Sequence, residues 1–125
     1  MSKKVFISFA IEDAYARDFL IGQAKDDRSP FEFVDMSVKE PWNSDWKTKC
    51  KNRISGCDAV IALISTHTRN ADGAKYEMDC ANELDIPLLG VHIQKDDKGQ
   101  VPPQLQEHKV IEWTWTGIAN FINSI

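Results

Sequence analysis

The 125-residue chain carries 19 acidic against 15 basic residues and is 42% hydrophobic and 27% charged, the make-up of one ordinary globular domain over residues 1–125 rather than a disordered or fibrous chain. Its net charge of -4 and scattered Lys and Arg residues exclude a binder that works mainly by neutralising phosphates, so no nucleic-acid partner is expected. No apolar run approaches the roughly 20 residues of a membrane span and no signal-like apolar region opens the chain, which makes a cytoplasmic protein without membrane contact the expectation.

Val5-Phe-Ile-Ser-Phe9 is a short run of β-formers and reads as a buried first strand, followed by an acidic corner, Ile11-Glu-Asp13. Asp13 is placed to cap a helix whose Ala16, Phe19 and Leu20 make one apolar stripe, and Asp26-Asp-Arg-Ser-Pro30 stops it with turn chemistry. Phe31-Glu-Phe-Val34 is a shorter second strand, nearer a sheet edge. The stretch from Asp35 to Asn43 has no steady period and is long enough to line a pocket. Ser44 can then cap a helix with Trp46, Cys50, Ile54 and Cys57 on one face. The alternating Lys47, Lys49, Lys51 and Arg53 on that helix read as a solvated face, with the border of an anionic ligand as the alternative.

Ala59-Val-Ile-Ala-Leu-Ile64 is the longest uninterrupted apolar run and suits a central strand buried on both sides. Ser65-Thr-His-Thr68 follows it, and Ala71-Asp-Gly73 leads into a helix reaching about Leu84. Ile86 to Ile93 is the fourth strand, with Pro87 tolerable near its start. Gln94 to Gln100 is a charged surface turn, and Lys109 to Trp113 a short fifth strand. Thr114 or Thr116 can cap a last helix whose Trp115, Ile118, Ala119 and Ile122 face the core. Five strands alternating with helices predict an α/β domain: a parallel sheet in the flavodoxin-like order 2-1-3-4-5, with right-handed crossovers and helices on both faces.

The cysteines Cys50, Cys57 and Cys80 are odd in number and lack C-x-x-C spacing, so they suggest neither a disulfide framework nor a zinc site; each reads as a small hydrophobe, and no metal is expected.

In doubly wound sheets ligands bind beyond the carboxyl ends of the strands, where the strand order reverses, here between the first and third strands. That rule selects Ser8 to Asp13, Asp35 to Trp46 and Ser65 to Glu77. None of these holds a Walker-type or G-x-G-x-x-G phosphate cradle. A phospho-acceptor receiver is also excluded, because the third strand ends in Ile64-Ser-Thr with no Asp. The informative residue is Glu77, which projects within about 40° of the centre of the stripe made by Ala74, Met78, Ala81 and Leu84. Two readings stand: a carboxylate that complements the helix dipole with its head in water, or an acid at the rim of a pocket, tuned by partial desolvation.

Taken in order, these segments resemble the TIR family, and within it the TIR-like branch that includes the signal-producing subunit of Thoeris antiphage defence. The likeness is carried by Lys4-Val-Phe-Ile-Ser-Phe-Ala-Ile-Glu-Asp13, by Phe33-Val-Asp35 with its loop, and by Val60-Ile-Ala-Leu-Ile-Ser65. Lys75-Tyr-Glu-Met-Asp-Cys-Ala81, the strand from Ile86 to Ile93, and Glu112-Trp-Thr-Trp-Thr-Gly117 complete it. The resemblance places Glu77 on the family's catalytic glutamate. It implies cleavage of the nicotinamide–ribose bond of NAD, giving ADP-ribose or a cyclic or conjugated derivative, with NAD as substrate and no cofactor. It also implies self-assembly with other TIR-like domains and a phage-derived activator.

For holding substrate it points to Phe9 and Trp42 as stacking surfaces, Ser8 and Ser65 as hydrogen-bond donors, Asp35 as a loop-orienting or ribose-binding acid, and Tyr76 as a pocket wall. Phe9, Trp42 and Tyr76 also read as plain core or loop anchors, and Trp113 and Trp115 as packing for the last helix. The chain departs from the pattern at Gly73, where related domains often carry Trp or another large residue. A non-catalytic interaction or nucleotide-binding module is the alternative that shares this fold.

Overall fold

Buried β-formers and amphipathic helices alternate along the chain. The computed structural model describes residues 3–26, 31–34 and 45–125. The strands are β1 (Lys3–Ser8), β2 (Phe31–Val34), β3 (Ala59–Ile64), β4 (Leu88–His92) and β5 (Val110–Glu112). The helices are α1 (Ala14–Asp26), α2 (Trp46–Ser55), α3 (Asp72–Glu83) and α4 (Trp115–Asn123), with single 3-10 turns at Ile11–Asp13, Thr68–Asn70 and Pro103–Leu105. No helix among the described residues is long and apolar enough to cross a membrane.

The strands form one sheet in the order β2-β1-β3-β4-β5. Every pairing is parallel, with Val5 opposite Ala59, Ser8 opposite Ala62 and Ile64 opposite His92. All six residues of β3 are buried, as a strand covered on both faces requires. β4 begins after Pro87, which lacks an N–H but gives its carbonyl to Val60 N at 2.8 Å.

The two-residue alternation of strand side chains divides the core into two layers. Phe6, Val60, Ala62 and Ile64 pack with Cys50 and Ile54 of α2 and with Ala74, Met78 and Ala81 of α3. Val5, Ile7, Ile61 and Leu63 pack with Ala16 and Leu20 of α1 and with Ile118 and Ile122 of α4. Helices therefore cover both faces of the sheet.

Three local readings change or gain detail. Asp13 closes the 3-10 turn immediately before α1, and its carboxylate also accepts from Ser65. Phe19 leaves the apolar stripe of α1 and is 61% exposed, meeting Trp113 edge-on at 5.9 Å. The turn after β4 is more than solvated chain. Gly99, at φ +83°, lies so close to the Ser65–Thr66 peptide that a Cβ there would collide with backbone, which presses this turn onto the end of β3. Of the two candidate caps for α4, Thr114 fills the role, its hydroxyl accepting from Gly117 N at 3.1 Å. Ser44 lies outside the described residues.

Candidate functional site

Ser8 is the last residue of β1 and shares the face of Phe6, so its side chain enters the α2/α3 layer. α3 crosses that end of the strand with Ala74, Glu77, Met78 and Ala81 turned inward. Glu77 is 1% exposed. Its Oε1 accepts from Ser8 Oγ at 2.9 Å, and its Oε2 lies 3.9 Å from the Cys50 Sγ of α2. A carboxylate so enclosed does not hold its head in water, so the purely dipole-complementing reading of Glu77 falls. Ser8 Oγ also stands 3.2 Å from the Ala74 carbonyl. Three elements thus meet at one buried acid.

Tyr76 precedes Glu77 and turns off the inward stripe. Its ring meets Trp46 edge-on at 5.5 Å, its hydroxyl donates to the Lys47 carbonyl at 3.3 Å, and Lys47 Nζ stands 5.3 Å from the ring centre. Its phenol is pushed up to about 12, first through its hydrogen bond with Cys80 and then by burial. These contacts make Tyr76 a strut between α2 and α3. Burial also pushes the Cys57 thiol up to about 11 and raises that of Cys80, so both stay protonated near neutral pH and lack the thiolate a nucleophile needs.

The described ones among the remaining candidates, Phe9 and Ser65, do not join Glu77. Phe9 is 2% exposed and sits in the α1/α4 layer with the Arg17 guanidinium 5.1 Å from its ring centre, on the opposite side of the sheet from Glu77. Ser65, buried after β3, donates from Oγ to Asp13 Oδ2 at 2.6 Å, and the same oxygen accepts from His67 N at 3.0 Å. Asp35 and Trp42 lie outside the described residues.

Ser65 and Asp13 instead line a polar cleft of about 290 Å³ with Glu12, Thr66, His67 and Gln94, where His67 Nδ1 and Glu12 Oε2 are 3.5 Å apart. Beside it an aromatic cleft of about 320 Å³ is lined by Tyr15, Ala16, Phe19, Ile93 and Trp113. Tyr15 borders both. No group of three or more metal-ligating side chains occurs among the described residues.

Sequence reasoning did not find Cys50 beside Glu77 or Asp13 beneath Ser65. For Cys50 a signal was present, since it falls on the apolar face of α2. For Asp13 there was none, because its partner is 52 residues away.

The sheet and its two helical layers define a doubly wound α/β domain, and solved structures share that fold. A prokaryotic SEFIR domain aligns with a TM-score of 0.58 at 14% identity, covering 98% of this chain and 89% of that one. A diflavin flavoprotein A3 from Nostoc sp. aligns at 0.56 and 12% identity, covering 99% and 86%. The chain belongs to the family described as Thoeris protein ThsB, TIR-like domain, whose model matches residues 6–98 and so spans both Ser8 and Glu77. No curated protein matches the sequence.

Proposed function

We propose that this chain cleaves the nicotinamide–ribose bond of NAD, with Glu77 as the acting carboxylate, and that the resulting ADP-ribose, or a cyclic or conjugated form of it, serves as a signal in antiphage defence. The observation that carries the reading is the enclosed Glu77 carboxylate at the carboxyl end of β1, held by Ser8 Oγ, in a chain of the Thoeris TIR-like family.

One carboxylate is enough for this reaction. The pyridinium leaves as neutral nicotinamide and needs no general acid, so the protein's task is to stabilise the oxocarbenium charge that develops on the ribose and to orient its hydroxyls or the incoming nucleophile. At 1% exposure Glu77 meets substrate only after neighbouring side chains move aside. Activation by self-assembly or by a phage-derived trigger therefore belongs to the proposal, as does action in the cytoplasm. NAD is the substrate, and no cofactor is invoked.

The test is to incubate purified protein with NAD, with and without crowding agents or phage lysate, and to follow nicotinamide release. Release that Glu77→Gln abolishes supports the enzyme. Release that survives the substitution removes Glu77 from the mechanism.

A non-catalytic interaction module is the second reading. It is favoured by the apolar side chains that the turn after β1 and the first turns of α1 leave in water, Ile11 at 60%, Tyr15 at 56% and Phe19 at 61% exposure, an uncommon cluster for a surface with no partner. Silence towards NAD under every trigger, together with self-association lost in Phe19→Ser, selects this reading.

A further inference from the structure

The Ser8 hydroxyl has one hydrogen and two acceptors within reach, Glu77 Oε1 at 2.9 Å and the Ala74 carbonyl at 3.2 Å. It donates to one of them at full strength at any moment. We propose that Ser8 is a positioning residue whose hydroxyl turns between these two acceptors and so serves both protonation states of Glu77; the catalytic consequence rests on the function proposed above. This differs from the substrate-donor role that the sequence suggested for Ser8.

The two states differ in the direction of the Ser8–Glu77 hydrogen bond. With Glu77 ionised, Ser8 Oγ–H donates to Oε1, a charge-assisted hydrogen bond between two buried groups. When Oε1 gains a proton, its O–H donates to Ser8 Oγ, and the hydroxyl hydrogen turns to the Ala74 carbonyl, which has a second lone pair beyond its helical bond. The proton on Glu77 is exchanged with solvent or substrate. Ser8 loses none, and only its hydroxyl torsion changes. Neither state leaves a buried polar atom of this pair unsatisfied, which is the condition for a buried acid to titrate without disturbing its surroundings. Cys50 Sγ, a weak donor at 3.9 Å, lies against Oε2, so the two carboxylate oxygens keep distinct neighbours.

Among the described residues, the titratable and charged side chains on the helices packed here are Lys47, Lys49, Cys50, Lys51 and Arg53 on α2 and, besides Glu77, Asp72, Lys75, Tyr76, Asp79, Cys80 and Glu83 on α3. β3 carries none, and those of β1, Lys3 and Lys4, lie at its far end.

Difference infrared spectroscopy against Glu77→Gln isolates the Glu77 carboxyl band and follows its titration in the full chain, without any need for turnover. The ionised state makes the stronger bond to Ser8, so Ser8→Ala is expected to raise the midpoint by about one unit. Ser8→Thr, which keeps the hydroxyl, should return it to the native value. In the nicotinamide-release assay the pH midpoint should move by the same amount while KM stays within about two-fold. An unchanged infrared midpoint in Ser8→Ala overturns the proposal, as does a tenfold rise in KM with no shift of the pH midpoint, which would return Ser8 to substrate binding. A shifted infrared midpoint in a protein that never cleaves NAD upholds the rotor and removes the catalytic reading alone.

Discussion

Asp13 Oδ2 accepts a 2.6 Å hydrogen bond from Ser65 Oγ, joining the turn after β1 to the end of β3 at the point where the strand order reverses. Both residues are buried, Asp13 at 2% and Ser65 at 5% exposure. The bond is short and charge-assisted, and loss of the donor strands a carboxylate with little access to water. Ser65→Ala is expected to cost about 1.5 to 3 kcal/mol, read as a lower urea midpoint at unchanged slope. In a double-mutant cycle with Asp13→Ala the two costs should couple by about 1 kcal/mol or more. Additive costs would show that the bond contributes nothing of its own.

The turn bearing Gly99 closes over the same strand end. Its positive φ and its approach to the Ser65–Thr66 peptide leave no room for a side chain, so Gly99→Ala should destabilise by about 2 kcal/mol or more. Gly22 in α1 is the control: nothing lies within 4 Å of its would-be Cβ, and Gly22→Ala should stabilise by about 0.5 to 1 kcal/mol through helix propensity. Thermal denaturation of the two variants should therefore give shifts of opposite sign.

A buried carboxylate kept for function is held at a cost to the fold. Glu77→Leu leaves Ser8 Oγ with the Ala74 carbonyl as acceptor and puts an aliphatic group beside Cys50, so Tm should stay level or rise while nicotinamide release falls by roughly 100-fold or more. A drop of several degrees in Tm would mark Glu77 as a structural residue instead.

The Cys57 thiol, raised first by burial and then by the neighbouring Asp58 carboxylate, donates from Sγ to the Arg53 carbonyl at 3.3 Å. Its ordinary value is 9.0 and its folded value about 11, so between these pH values the unfolded chain ionises and the folded chain does not. The thiol's contribution to stability is whole below about pH 9 and is lost as pH climbs through 11. Melting curves taken across this range should fall more steeply for the native protein than for Cys57→Ala, and alkylation of Cys57 by iodoacetamide at pH 8 should be slow against a model thiol. Parallel melting curves would show that the burial has no energetic weight.

Much of the frame was legible because it rests on local pattern. The six-residue apolar run of β3 suited a strand covered on both sides, and it is one; the stripe of Ala74, Met78 and Ala81 put Glu77 near the sheet side but left open whether its head reached water. What was missed depended on partners distant in sequence. Asp13 has the chemistry of a helix cap, and only the tertiary fold brings Ser65 Oγ to its carboxylate. Phe19 carries the period of a core residue, yet it stands at the margin of α1, where Trp113 covers only its edge. Phe9 follows Ser8, and consecutive extended residues face opposite ways, so parity alone says that the two cannot both face Glu77.

By itself the sequence determined the alternation of strands and helices, which side chains are apolar enough to be buried, and that an acid sits among them on α3; these follow from spacing and hydrophobicity within one element. The tertiary structure alone decided which buried groups meet: Ser8 and Cys50 at Glu77, Ser65 at Asp13, Gly99 over the end of β3. Each of those pairs joins residues tens of positions apart across parallel crossovers. A hydrogen bond of about 3 Å depends on strand register and on which face each helix covers, and neither is written in the spacing of any one segment.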